Sequence, residues 1–386
     1  MKKILIVNSN MHIGGVQKAL VNLLWNIRGH YDVTLLLFYD GGALLKEIPP
    51  EVQVVTANFA YRYLGMNRKD AQSVKDKLLR GLFAAITRLF GRKYAIALMS
   101  IGQKKLKGFD TAISYLHNSG DKMFYGGCND FVLKHVVAQK KVTFLHGDYL
   151  LCGANTRDNA KQYARFDAIC ACSRGCLDSF VKANPAMERK VSVVPNCHRF
   201  EDVRAKAEMK PMKLSEETVN VVTVARLGKE KGVERALRVL AQMGHEKEKL
   251  HYYIIGNGVQ MSQVQQIIKE EKLDGTVTLC GMLENPYGYI KAADLLLIPS
   301  YSEAAPLVIA EAACLGTPIL STETSSAREM IEQTGYGWVC GNSETAMQEA
   351  LTALVAEPIR LRQMKNSLQQ MQIDDQTAML RFLQCV

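Results

Sequence analysis

A chain of 386 residues, 48% hydrophobic and 22% charged, has a soluble globular composition and fits two domains better than one core. No uncharged stretch approaches the roughly 18 apolar residues of a membrane span, and the start lacks the apolar run and cleavage site of an export signal. The net charge of +10 is concentrated, because residues 61–110 hold twelve Lys or Arg against three Asp, +9 in one segment.

The ten cysteines are scattered, mostly in apolar contexts, as expected of free thiols in a reducing cytoplasm. Cys170, Cys172 and Cys176 find no fourth ligand nearby, so a metal site there is not expected.

Lys3 to Asn8 reads as a buried strand that runs into Gly14-Gly15 and then a helix carrying Val16, Leu20, Leu23 and Leu24. The glycine pair at a strand-to-helix turn lets backbone N–H groups approach a ligand. Strands are expected at Val33–Phe38 and Val52–Val55. The basic segment follows, with Leu78, Leu79, Leu82, Phe83, Ile86, Leu89 and Phe90 at helical spacing and cations on the other side. Further strands are expected at Asp110–Tyr115, ending at His117, at Lys141–Leu145, ending at His146, and at Ala168–Ala171. Val191–Asn196 closes this half. Polar residues 199–215 read as an interdomain connection.

A second α/β series begins at Val219–Val224, whose loop carries Arg226 and Lys231 and leads to a helix over Val233–Met243. Leu250–Ile255 with Gly256-Asn257-Gly258 repeats the pattern, and Val277–Cys280 with Gly281-Met282-Leu283 repeats it again. Leu295–Ile298 is a short buried strand, followed by Glu303, Ala304, Ala305, Pro306 and a helix with Leu307 and Glu311 in its first turns. Ile319-Leu320 is the next strand. The fold class expected is α/β, two Rossmann-like domains whose strand-end loops face a central cleft. The boundaries are 1–198, a connection at 199–215, a domain at 216–365, and a C-terminal helix within 366–386 packing back on the first domain.

Chemistry gathers in the second half. Arg226 and Lys231, five apart across a glycine at a strand end, are arranged to hold phosphate oxygens. Gly256 and Gly258 allow close backbone approach, and the loop from Glu303 to Pro306 offers N–H groups at a helix start. Glu311 stands among packed helix residues, where a carboxylate needs a hydrogen-bonding partner. Cations, glycine loops and an acid pair suggest a nucleotide diphosphate with a polyhydroxylated group attached.

Gly14-Gly15, Pro195-Asn196, Arg226 with Lys231-Gly232, Gly256-Asn257-Gly258, Gly281, Ala293-Asp294, and Glu303 before Glu311 together resemble the retaining glycosyltransferases of the GT-B fold, in the family 4 grouping that decorates bacterial polysaccharides and lipids. The resemblance implies that Arg226 and Lys231 bind the donor diphosphate and that Glu311 holds the ribose hydroxyls. It places Glu303 beside the sugar, with backbone from Ala304 to Leu307 around it, and the backbone near Met282 and Leu283 beside the base. His146 matches the first-domain histidine at the reaction centre, and His117 is a candidate for the acceptor. Val16-Gln17-Lys18 after the glycine pair departs from the commoner Ala-Glu-Arg.

The implied activity moves a sugar from a nucleotide diphosphate sugar, a UDP-sugar foremost, to a hydroxyl of a saccharide or lipid-linked saccharide in envelope polysaccharide or glycolipid synthesis. No Asp-x-Asp motif stands near a strand end, so neither a metal nor another cofactor is expected. A nucleotide-sugar epimerase or a non-catalytic nucleotide-binding module on the same fold are the alternatives. The basic patch lacks the interleaved aromatics of a nucleic-acid binder, and the partner expected for it is an anionic membrane surface. The protein is expected in the cytoplasm, peripheral on the membrane face.

Overall fold

The computed structural model describes residues 1–386, which divide into two units, Met1–Cys197 with Asp375–Val386, and His198–Asp374. The first unit is built on β1 (Lys3–Asn8), β2 (Asp32–Leu37), β3 (Gln53–Thr56), β4 (Leu106–Ser114), β5 (Val136–Leu145), β6 (Ala168–Ala171) and β7 (Val191–Val193). These pair in parallel in the order β3-β2-β1-β4-β5-β6-β7. Ile4 and Ile6 pack on one face with Leu20, Leu24 and Phe382, whereas Leu5 and Val7 pack on the other with Ile96, Phe131 and Val132. Burial on both faces is why β1 is a continuous apolar run instead of an alternating one.

The second unit repeats the plan with β8 (Val219–Val224), β9 (Leu250–Ile255), β10 (Val277–Gly281), β11 (Leu295–Ile298), β12 (Ile319–Thr322) and β13 (Gly337–Cys340), in the order β10-β9-β8-β11-β12-β13. Val221, Leu295 and Leu297 face the helices Val233–Gln242 and Glu344–Ala356, while Val222, Leu296 and Ile298 face Ile290, Ile309 and Ala312. In both sheets the strand order reverses direction once, between β1 and β4 and between β8 and β11. Ligands of open parallel sheets bind outside the strand C-termini at such a switch point.

Several expected boundaries need correction. Residues 200–209 are a helix of the second unit, not a connection, and bury Phe200, Val203 and Ala207. That i, i+3, i+7 spacing lies beneath a highly charged sequence. The C-terminal region divides at Asp374/Asp375: the helix Pro358–Gln370 is in the second unit, and only Gln376–Cys385 packs on the first, through Phe382. β4 and β5 begin several residues earlier than expected, and β7 ends at Val193.

The basic segment differs most. Its helix, Val74–Phe90, does not separate an inner apolar side from an outer cationic one. Leu79 and Phe83 pack inward around Tyr63, but Leu78, Leu82 and Leu89 are exposed. No helix is long and apolar enough to cross a membrane.

Candidate active site

In the second unit, the loop after β8 turns through Lys229–Lys231 and enters the helix Val233–Gln242 at Gly232, whose φ is 63°. A Cβ on Gly232 would lie 2.0 Å from the Pro299 carbonyl oxygen at the end of β11, so glycine is demanded there. The loop after β9 closes on the β8 loop in the same way. A Cβ on Gly256 would come within 1.8 Å of the Ala225 carbonyl oxygen, and one on Gly258 within 2.2 Å of that of Leu227. Leu227 N donates to the Asn257 carbonyl at 3.0 Å and Gln260 N to the Leu227 carbonyl at 3.1 Å. These two glycines therefore serve first to join the β8 and β9 loops.

The β11 loop brings Glu303 to the switch point. Lys231 Nζ donates to both of its carboxylate oxygens, at 2.7 and 2.9 Å, and Ser300 Oγ donates to Oε1 at 2.7 Å. The ion pair is only partly exposed, and it ties the β8 loop to the β11 loop. Arg226 is not part of it. Its side chain is 69% exposed and pairs with Glu230 of its own loop.

Pro306 caps the helix Leu307–Cys314 in an extended conformation, so the helix begins one residue later than expected. Ala304, Ala305, Pro306 and Leu307 are all partly exposed at this helix start. Glu311, on its second turn, accepts a hydrogen bond at 3.1 Å from the Tyr287 hydroxyl, the kind of partner a carboxylate in packed helix requires. Gly281 takes φ 67° at the end of β10; beyond it Met282 is exposed and Leu283 packs against the core.

One further residue of the site, Arg235, belongs to no motif in the sequence. Arg235 is 1% exposed, one turn after Lys231. Nε donates to the Pro299 carbonyl at 2.7 Å; Nη2 donates to the Ser300 carbonyl at 2.7 Å and to Thr322 Oγ1 at 3.0 Å. Nη1 donates to Asn342 Oδ1 at 2.7 Å, and the guanidinium lies 3.9 Å from the Tyr301 ring centroid. This fork fixes the segment that carries Glu303. Only its position beside the phosphate-type loop distinguished it in sequence.

In the first unit, Gly14 and Gly15 follow β1, and His117 follows β4, its neighbour across the switch point. Gly14 is extended, with φ −173°, and caps the helix Gly15–Ile27. A Cβ on Gly14 would meet only the Gln17 side chain, and one on Gly15 nothing within 4 Å, so neither is demanded by packing. His146 directly follows β5 and lies against Tyr115 and Phe144, with ring centroids 4.5 and 5.7 Å away. Burial pushes the imidazole of His117 down to about 4. Burial, with His117 nearby, pushes that of His146 down to about 3. Both rings are neutral at pH 7. His117 Nδ1 and His146 Nε2 are buried without a hydrogen-bond partner.

Residues 205–371 match the family model of glycosyl transferases group 1. Over 148 residues, 36% of this chain and 35% of the relative, the sequence is 32% identical to the amylovoran biosynthesis glycosyltransferase AmsK of Erwinia amylovora. Over 206 residues, 53% of this chain and 55% of the relative, it is 26% identical to the N-acetylgalactosamine-N,N'-diacetylbacillosaminyl-diphospho-undecaprenol 4-alpha-N-acetylgalactosaminyltransferase of Campylobacter jejuni. These matches span about a third to a half of the curated relatives' length. The crystal structure of Anabaena Alr3699/HepE in complex with UDP covers the whole chain and 99% of its own, with a TM-score of 0.70 at 17% identity. The fold is that of a GT-B glycosyltransferase. Through residues 205–371 the chain is similar to the glycosyl transferases group 1 family.

Proposed function

We propose that this protein is a retaining, metal-independent glycosyltransferase that moves a sugar from a UDP-sugar to a hydroxyl of a saccharide or lipid-linked saccharide. The observation that carries the reading is the Lys231–Glu303 pair at the β8/β11 switch point, beside a helix start. Breaking a sugar–phosphate bond leaves negative charge on the diphosphate and positive character on the anomeric carbon. A cation and a carboxylate already held together supply one complement to each, with little reorganisation as the bond breaks. Lys231 turns toward the diphosphate when the donor enters. Arg226, which pairs only with the exposed Glu230, swings in to join it. Together they do the work of a divalent metal.

Glu303 then faces the sugar, and Glu311, oriented by Tyr287, takes the ribose hydroxyls. Backbone around Ala304–Leu307 meets the sugar, and that near Met282 and Leu283 meets the base. In the first unit, His146 Nε2 and His117 Nδ1 are buried polar atoms without partners, which suits hydrogen bonding to sugar or acceptor hydroxyls. The UDP in the Anabaena structure favours uridine as the base. The diphospho-undecaprenol acceptor of the Campylobacter relative favours a lipid-linked acceptor, and the amylovoran biosynthesis of the Erwinia relative favours a role in polysaccharide synthesis. Such an acceptor would bring the protein, from the cytoplasm, to a membrane surface, with the basic segment 61–110 as the contact.

A panel of UDP-, GDP- and ADP-sugars, assayed for release of free nucleotide, tests the reading. Slow release from one UDP-sugar that quickens with an acceptor supports it. Reversible conversion of a donor without any acceptor would indicate an epimerase, and binding without turnover a non-catalytic module.

A further inference from the structure

We propose that the outward face of the helix pair Val74–Phe90 and Arg92–Met99 is a docking surface for an anionic lipid bilayer, seated by an apolar stripe and not by charge alone. This rests on the peripheral association proposed above and assigns it a face. Val74, Leu78, Leu82 and Leu89 recur at intervals of four, four and seven residues and form one stripe along the first helix. Leu78 is 68% exposed, Leu82 53% and Leu89 68%, whereas Thr87, on the opposite side, is the buried residue of the helix. The helix thus spends one stripe of apolar residues on its own domain and presents a second to solvent. Nothing in the fold accounts for the second.

The second helix extends that surface. Phe90 and Ile86 with Tyr94, Ala97 and Leu98 line a shallow, open groove of about 370 Å³. Its walls are apolar side chains, suited to a hydrocarbon chain.

The cations are placed to match. At 100° per residue, Lys75 flanks the stripe on one side and Lys77 and Arg88 on the other, all three exposed. Lys93 stands beside the groove, 3.2 Å from Asp158. Arg80 and Arg92 are not part of the face. Arg80 Nε donates to the Met66 carbonyl, and Arg92 is buried, donating to the Ser119 carbonyl and Asn159 Oδ1. The one acid of the first helix, Asp76, is turned to Ser73 and Tyr63.

An exposed apolar stripe bordered by Lys and Arg, with Asp158 paired to Lys93 beside the groove, fits a surface of anionic headgroups over acyl chains. A protein partner fits less well, since interface cores are depleted in lysine. The helices are oriented so that the stripe enters the headgroup–acyl boundary and the flanking ammonium and guanidinium groups remain at phosphate level.

Sedimentation of the full chain with vesicles tests this, using phosphatidylcholine with and without phosphatidylglycerol. The protein should sediment with the anionic vesicles at low salt, ignore the neutral ones, and be released at roughly 0.5 M salt. Lys75→Glu/Lys77→Glu/Arg88→Glu should lower partitioning on the order of a hundredfold or more, from roughly fivefold per cation removed. Leu78→Ser/Leu82→Ser/Leu89→Ser should lower it at least about tenfold with every charge retained. All these positions are exposed, so folding survives, and thermal melts of both variants check that.

No binding by the wild type overturns the proposal. Full binding by the serine variant also overturns it, because the attraction is then charge alone, and so does a salt-insensitive dimer that the serine variant abolishes. Nucleotide release without vesicles is read in parallel. A donor reading that fails while vesicle binding behaves as stated leaves this face standing, and the converse result leaves the donor site standing.

Discussion

Lys231 Nζ reaches both carboxylate oxygens of Glu303, at 2.7 and 2.9 Å, so one ion pair joins the loops of the two strands at the second unit's switch point. The two side chains are coupled before any substrate is present. Lys231→Ala should lower turnover by about 2–4 kcal/mol of barrier, by comparison with removal of one oxyanion donor. Glu303→Ala should also act mainly on kcat. The double variant should lose less than the sum of the singles, because each single leaves a partly buried charge unpaired. Strict additivity in a double-mutant cycle on kcat would mean that the pair acts as two independent groups.

Glu311 should divide the work differently. Its Oε1 accepts from the Tyr287 hydroxyl, so the carboxylate is oriented toward one task. Glu311→Ala should weaken nucleotide binding about 10- to 100-fold, the worth of a hydrogen bond to a charged group, with little change in kcat. Tyr287→Phe should produce a smaller shift in the same direction. Titration calorimetry with UDP separates these from an effect on turnover.

Arg235 is a positioning residue. Its guanidinium donates to two backbone carbonyls and two side chains, three of them at the ends of β11 and β12. Arg235→Met should cost about 3 kcal/mol of stability or more, since each buried acceptor left without a donor costs about 1–3 kcal/mol. Arg235→Lys keeps the charge but not the fork, and should fold while losing kcat more than donor affinity. An unchanged kcat in a folded Lys variant would make Arg235 a purely structural residue.

The histidines of the first unit should appear in the pH dependence of stability. Burial holds His117 at about 4 and His146 at about 3, both below the unfolded value of about 6.5. Between folded and unfolded values the unfolded chain binds more protons, so stability rises with pH. The contribution is complete above about 6.5 and is lost as pH falls toward the folded values, by at most about 1.4 kcal/mol per unit for each ring and less for the partly exposed His146. Urea midpoints of wild type and His117→Asn should therefore converge on acidification. A difference that stays constant from neutral to acid pH would show that His117 titrates as freely in the fold as out of it.

Much of this was readable from residues alone. Short, largely apolar runs announced β1, β8, β9 and β11, because strands covered on both faces have little polar alternation to blur them. Glu303 and Lys231 were legible as members of one site, although not as partners, since their contact spans 72 residues. Arg235 was hidden because a cation at a helix start looks solvated until the ends of β11 and β12 close over it. The helix Phe200–Met209 was hidden by its charges, although Phe200, Val203 and Ala207 carried the period. The face of the helix Val74–Phe90 was misread because two apolar stripes on one helix sum to a broad pattern that suggests a single buried side.

Whether side-chain cations hold a nucleotide diphosphate at the β8/β11 switch point is tested most directly by UDP affinity measured in EDTA. The wild type should bind UDP without divalent metal, and Lys231→Ala should bind it at least about tenfold more weakly, the loss of one charge-assisted contact. Binding that vanishes in EDTA, or an affinity that Lys231→Ala leaves unchanged, would contradict this role for the cations.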